Sequence, residues 1–331
     1  MSALPRIVLL QTGGTIDHIG RDRLDLVFYS DSPARVEGGL ISRIPEVRAI
    51  ADVEERPMRL RGQSLTTSDW ITLGRAAQSA ATEDGVAGVV ITRGTNTLEE
   101  TGYFLDLVLK TDKPIVMTAA MRPASGLSAD GDLNLVNAIR VAASADAVGK
   151  GVLVVMNDTI LAAREAVKTS TSRVHAFQSP GLGPLGHADP DGRVVFAHAP
   201  LRAHTTATEF DVRRIDTLPR VDILLSYVGA DGALIDAAVA AGARGIVSAG
   251  MGTGRGTDTE MAALDRARET GVVICQASRA GSGRVALSPD LARHGFIAAG
   301  DLVAWQARVL LALALTQTDD VARIQRMFDR Y

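Results

Sequence analysis

Short apolar runs alternate with longer amphipathic stretches along nearly the whole chain, and this alternation restricts the fold more than any other feature. The runs at 7–10, 86–92, 114–117, 152–156, 223–227, 245–248 and 272–276 have strand length. Between them, residues 68–81, 98–110, 133–143, 231–241 and 258–269 carry helical patterns. Alternation of this kind predicts an α/β fold with parallel sheets covered by helices. Such sheets bind ligands outside the carboxyl ends of their strands. A less regular segment, which contains HAPLRAHTTATEFDV, separates two α/β blocks and shows no sustained period. The predicted division is a first domain over 1–195, a connection over 196–219 and a second domain over 220–331. A chain of 331 residues is long enough for two separate cores. The stretch DLVAWQARVLLALALTQ predicts a last helix with Val303, Ala307, Leu310, Leu311 and Ala314 on one core-packing face.

Composition removes several classes of partner. The formal net charge of -3 gives no field that would attract nucleic acid or an acidic membrane. The longest unbroken apolar run, residues 309–315, is far short of a membrane span. The opening MSALPRIVLL lacks a charged leader followed by an apolar signal core, which gives a cytoplasmic expectation. The single cysteine, Cys275, lies in the apolar run GVVICQA, has no partner for an internal disulfide, and reads as a buried strand residue.

The stretch VVITRGTNTLEETGYFLDL reads as strand, tight polar turn and helix. Thr97 and Glu100 have the spacing of a capping box. That leaves Thr95 and Asn96 in the turn, where ordinary turn chemistry and catalysis are both open. The first strand runs into QTGGTI, whose glycines permit positive φ and close backbone approach. Neither this turn nor GMGTGRG ends in the Gly-Lys-Ser/Thr of a phosphate loop, and the alternating glycines of the latter lack dinucleotide spacing. The six histidines show no HExxH pair and no cysteine partners, so a metal site is not expected. No Gly-x-Ser-x-Gly elbow is present either. What remains is hydroxyls and a lysine. Thr15 and Thr95 both follow apolar strands and can share one sheet edge. Lys168 lies in REAVKTSTS, where spacing alone does not distinguish it from a solvated lysine. A threonine hydroxyl needs a base, and a desolvated lysine of lowered pKa can serve without histidine. Tyr29, in the polar loop after the first strand, either relays a proton to Thr15 or simply packs.

TGGTI, GTNTLEETGYFLDL, KPIVMTAAMRP, SADGDLNLVNAI, GVLVVMND, KTSTSRVHAF, GIVSAG and ARVLLALALTQT follow one another from beginning to end of the chain. In these motifs and their order the sequence resembles the bacterial L-asparaginases, threonine-dependent two-domain amidohydrolases. The resemblance implies a larger N-terminal and a smaller C-terminal parallel-sheet domain with flanking helices, the first being catalytic. It also implies a homotetramer of intimate dimers, a small-molecule substrate and no metal or organic cofactor. Each active site would borrow residues from a neighbouring subunit's second domain. By position Thr15 matches the family's first catalytic threonine and Thr95 its second. Lys168 matches the lysine paired with the second threonine, and Tyr29 matches the mobile-loop tyrosine with one residue added before it. The implied chemistry is double displacement through an acyl-enzyme, with backbone N–H groups near Thr95 and Ala119 stabilising the oxyanion.

The chain departs from this family where the amino-acid part of the substrate is held. Asn96 stands in place of the family's aspartate, which pairs with the substrate's α-ammonium and with the lysine. Gly62 stands where a serine binds the α-carboxylate, although Gln63 remains, and Gly229 replaces a substrate-facing asparagine. The loop SRAGSGRVALSPDLARHGF is about two residues short and has no glutamate. Loss of a neighbouring carboxylate is expected to make Lys168 easier to deprotonate. Three readings follow: an asparaginase or glutaminase with modified amine recognition, a hydrolase of a small amide or lactone without an α-ammonium, or a weakened homologue that binds a small ligand. Retention of Thr15, Thr95 and Lys168 counts against the third. Gly62, Asn96 and Gly229 favour the second over the first.

Overall fold

The computed structural model describes residues 3–31, 33–58, 60 and 65–331. The chain divides into two compact units, Met1–Arg214 and Ile215–Tyr331, each with its own sheet.

In the first unit, β1 (Arg6–Gln11), β2 (Asp52–Pro57), β3 (Val86–Thr92), β4 (Ile115–Thr118) and β5 (Val152–Met156) are parallel, as the alternation predicts. The chain then reverses into β6 (Thr159–Ala162). β7 (Val167–Lys168) and β8 (Phe177–Gln178) form a separate ribbon. β9 (Gly186–Ala188) and β10 (Val194–Phe196) complete an eight-stranded sheet of order β10-β9-β6-β5-β4-β3-β1-β2. The sheet is therefore mixed. Its parallel part ends where Asn157 and Asp158, at φ 49° and 60°, make a two-residue hairpin between Met156 and Thr159. The sequence reading passed over this ND turn, and over β2. DVEERP has no apolar run because β2 is an edge strand, guarded by the Arg6–Glu54 and Arg56–Glu83 ion pairs.

The helices α1 (Thr67–Thr82), α2 (Leu98–Val108) and α3 (Gly131–Ala143) connect the parallel strands. Leu135 and Ile139 of α3 join Ile7, Leu9, Val90, Val116 and Val155 in one core cluster. A true capping box starts α1, between Thr66 and Asp69. The expected box at Thr97 and Glu100 does not form. Thr97 is the N-cap of α2 by position, but its ψ of 15° is not extended and its hydroxyl makes no cap bond. That hydroxyl instead accepts from Arg93 Nη2 at 3.2 Å.

The second unit has a four-stranded parallel sheet, β11 (Val221–Leu225), β12 (Gly245–Gly250), β13 (Val273–Ser278) and β14 (Ile297–Ala298), in that order. Around it lie α4 (Ala233–Ala240), α5 (Asp258–Glu269), α6 (Pro289–His294), α7 (Ala304–Ala314) and α8 (Val321–Arg330). Cys275 is wholly buried in β13, and burial pushes its thiol pKa up. The expected face of α7 is buried, yet so are Val309, Ala312 and Leu313 on its other sides. The helix is enclosed because α8, which the sequence reading missed, packs beside it while β11, β12 and β13 lie against it. Among the described residues no helix is long and apolar enough to cross a membrane.

Candidate active site

Parallel register brings the ends of β1, β3 and β4 together. Gln11 pairs with Thr92, and Thr92 with Thr118. Past the strands the contacts continue: Thr12 donates from its N–H and its hydroxyl to the Thr92 carbonyl, and the Arg93 N–H donates to the Thr118 carbonyl. Gly14, at φ 125°, sits against the next turn so closely that an added Cβ would lie 2.9 Å from Gly94 Cα. A side chain there would push the two turns apart. This contact is the physical reason for the second glycine of TGGTI.

The two turns carry the two threonines. Thr15 begins a short 3-10 turn, Thr15–Asp17, and its Oγ1 lies 2.9 Å from the Tyr29 hydroxyl. Thr95 is buried, and its Oγ1 lies 2.9 Å from Lys168 Nζ. The same Nζ lies 3.2 Å from Asn96 Oδ1. Lys168 is placed by the β7–β8 ribbon, and its backbone N–H donates to Glu99 Oε2 at 2.6 Å, which ties the ribbon to the start of α2. Burial lowers the Lys168 pKa, and the charge of Glu99 opposes that shift.

A pocket of about 710 Å3 has Thr15, Tyr29, Thr95, Asn96 and Lys168 on its wall. Ala119 is not among its lining residues. It is buried just past β4, with its carbonyl accepting from Asn134 Nδ2 at 3.0 Å. Gly62 and Gln63 lie outside the described residues. Gly229 is exposed in the second unit at φ 82°, with open space around the position of a Cβ. Asparagine also tolerates left-handed backbone, so the turn alone does not require glycine there.

Among the wall residues that the sequence reading missed are four titratable ones: Asp17, His18, Arg35 and Arg93. His18 Nδ1 lies 2.7 Å from the Gly14 carbonyl, which makes Nδ1 the protonated nitrogen. Its ring meets that of Tyr29 edge to face, with centroids 5.6 Å apart. Asp17 Oδ1 lies 3.4 Å from His18 Nδ1 and 3.6 Å from Arg35 Nε. No periodicity or motif marks these side chains, because loops converge on them only after folding. Glu99 was equally hidden, reading as an ordinary acid in the first turn of a helix.

Comparison with known proteins follows the same division. An asparaginase N-terminal family model matches residues 6–202, and a glutaminase/asparaginase C-terminal domain model matches residues 220–328. L-asparaginase 2 of Escherichia coli (strain K12) is 42% identical over 99% of this chain and 94% of its own length. The glutaminase-asparaginase of Pseudomonas fluorescens biotype A is 40% identical over 99% of this chain and 91% of its own. The crystal structure of a probable cytoplasmic L-asparaginase from Campylobacter jejuni superimposes with a TM-score of 0.93 at 39% identity, covering 98% of this chain and 99% of that one. The chain belongs to the asparaginase family and is an amidohydrolase of that type.

Proposed function

We propose that the chain hydrolyses the amide of a small substrate, L-asparagine or a related compound, through a covalent acyl-threonine. The observation that carries this reading is the 2.9 Å contact between Lys168 Nζ and Thr95 Oγ1, in the pocket that also holds the Thr15–Tyr29 contact. Thr15 Oγ1 attacks the amide carbonyl while its proton passes to Tyr29. N–H groups beside Thr95 stabilise the oxyanion, a role worth about 3 kcal/mol per donor. The C–N bond breaks and ammonia leaves with the relayed proton. Water then adds to the ester, giving its proton to the Thr95–Lys168 pair; the acyl C–Oγ1 bond breaks, the acid leaves and that proton returns to Thr15 Oγ1. Nζ donates to Thr95 Oγ1 and to Asn96 Oδ1, and on losing a proton it can accept from the Thr95 hydroxyl while still donating to Asn96. Gly62 and Gln63 stay in this proposal as substrate contacts on the strength of their positions in the sequence.

The Asn96–Lys168 contact favours a second reading of the substrate. The side chain beside the catalytic lysine is an uncharged amide, which suits an amide or lactone without an α-ammonium. Initial rates on asparagine, glutamine, simple amides and small lactones, with Thr15→Ala as control, test both. Turnover of at least one of these, lost in Thr15→Ala, is expected. No turnover of any, with ligand binding unchanged in Thr15→Ala, would leave only a small-ligand-binding role.

The same proposal includes a catalytic domain over 1–195, a connection over 196–219, a second domain over 220–331, a homotetramer and a cytoplasmic location. Support for assembly comes from the edge strand β11 and the turn after it, where Ile223, Leu225, Tyr227 and Val228 are exposed, Val228 at 91%. An apolar strip of this kind fits burial against another copy. Sedimentation of the intact protein tests it.

A further inference from the structure

We infer that the substrate is an amide whose second polar group is a carboxylate and which carries no ammonium: the monoamide of a short dicarboxylic acid. This rests on the hydrolase reading above and adds the charge of the substrate.

The polar groups around Thr95 are donors. Asn96 Oδ1 is occupied by Lys168 Nζ at 3.2 Å, so the exposed side chain has its Nδ2 hydrogens to offer a ligand. Arg93, on the same wall, supplies a guanidinium. The nearby carboxylates Glu99 and Asp69 act on Lys168 and Arg93 by their charge but stand off the wall. Glu99 receives the backbone N–H of Lys168, and Asp69 receives the N–H and hydroxyl of Thr66. Asp17 is the one carboxylate among the described wall residues, and it faces His18 and Arg35. An ammonium brought to Asn96 gives up its water and, among the described wall residues, meets the amide hydrogens of Asn96 where a carboxylate would have accepted from it. A carboxylate in the same place accepts from the amide and shares the wall with the Arg93 guanidinium. The arrangement therefore selects by charge: it excludes the cationic end of an amino acid and retains the anionic end of a dicarboxylic monoamide. The reaction remains amide hydrolysis, with the C–N bond broken, water consumed and ammonia and a dicarboxylate released.

The test compares succinamate with L-asparagine, which differs from it by the α-ammonium alone, and includes butyramide as an uncharged amide. The wild-type protein is expected to show a kcat/KM on succinamate about tenfold or more above that on asparagine and on butyramide. Asn96→Asp should move the succinamate-to-asparagine ratio toward asparagine by a further factor of about ten to a hundred. Asp17→Asn should change both rates by the same factor. Preference for asparagine in the wild type, a ratio unmoved by Asn96→Asp, or a selective loss of asparagine turnover in Asp17→Asn would each overturn the inference. Good turnover of butyramide with none of succinamate would overturn it too, while leaving the hydrolase reading intact. Silence on all three amides and on small lactones would remove both. Calorimetric binding of succinate against aspartate to Thr15→Ala reads the same charge preference without turnover; tighter aspartate binding would overturn it.

Discussion

The two threonine turns sit side by side at the ends of β1 and β3, yet they are supported in different ways. Thr95 is buried in the turn after β3, whose residues are buried apart from the half-buried Ala87, with Lys168 held on a ribbon that Glu99 fastens to α2. Thr15 is only half-buried, and its partner Tyr29 comes from a loop where Leu24, Val27 and Phe28 are 74%, 66% and 63% exposed. The Thr95–Lys168 pair is thus built into the sheet, whereas the Thr15–Tyr29 pair is assembled from local loop contacts. The difference suits the two tasks proposed for them. A lysine of lowered pKa needs a fixed, desolvated setting. A nucleophile that must admit substrate and then be covered needs a surface that moves.

The largest expected effects separate the two turns by what each does. Thr15→Ala and Thr95→Ala should each lower turnover by about a thousandfold or more. They should differ in the intermediate: mass spectrometry with a slow substrate should find an acyl adduct on Thr15 in Thr95→Ala and none in Thr15→Ala. An adduct on Thr95 would exchange the roles and break the comparison.

Next in size is Lys168→Met, expected to cost about a hundredfold or more. As a base Lys168 works unprotonated, and burial lowers its pKa from the usual 10.5. Activity should therefore rise with pH through a value below 10.5, and Lys168→Met should lose that rise. A pH profile identical in the two proteins would remove the lysine from the mechanism.

A smaller effect is expected at His18, which holds the Gly14 carbonyl and supports the Tyr29 ring. His18→Ala should lower kcat by about tenfold through misplacement of Thr15, with the melting temperature unchanged. If the protein melts earlier instead, the Thr15 turn belongs to the rigid half.

The smallest effect on turnover, and a large one on stability, is expected at Asp106 of α2. Burial pushes this carboxyl up to about 7, while its Oδ1 accepts from the Val152 N–H at 2.8 Å. The folded state therefore holds a proton that the unfolded chain releases near the ordinary carboxylate value. Stability from this source is full below that value and is lost as pH rises through about 7. Asp106→Asn should remove the slope and gain a few kcal/mol relative to wild type at alkaline pH. Thermal melts across that range check it, and parallel curves for the two proteins would count against a buried proton.

The structure changes the sequence reading unevenly. The strands β3, β4, β5, β12 and β13 were legible because both faces are buried, so their residues form continuous apolar runs. β2, β9 and β10 were not, because edge and short antiparallel strands carry charged or mixed side chains. The capping box at Thr97 failed for a related reason. The motif states which bonds are possible, while the guanidinium of Arg93 competes for the hydroxyl in the folded chain.

By itself the sequence determined the α/β order of elements and the two glycine-marked turns and, through family motifs, singled out Thr15, Thr95, Lys168 and Tyr29 as candidates. These are local or collinear properties, set by burial periodicity and by residue type. Only the tertiary structure decided which oxygen the lysine reaches, that Asn96 turns its carbonyl toward Nζ, and that Glu99, His18, Asp17 and Arg35 stand around the same pair of turns. Lys168 and Thr95 are separated by 73 positions along the chain. Contacts across such a distance depend on strand register and loop closure, which no local pattern encodes.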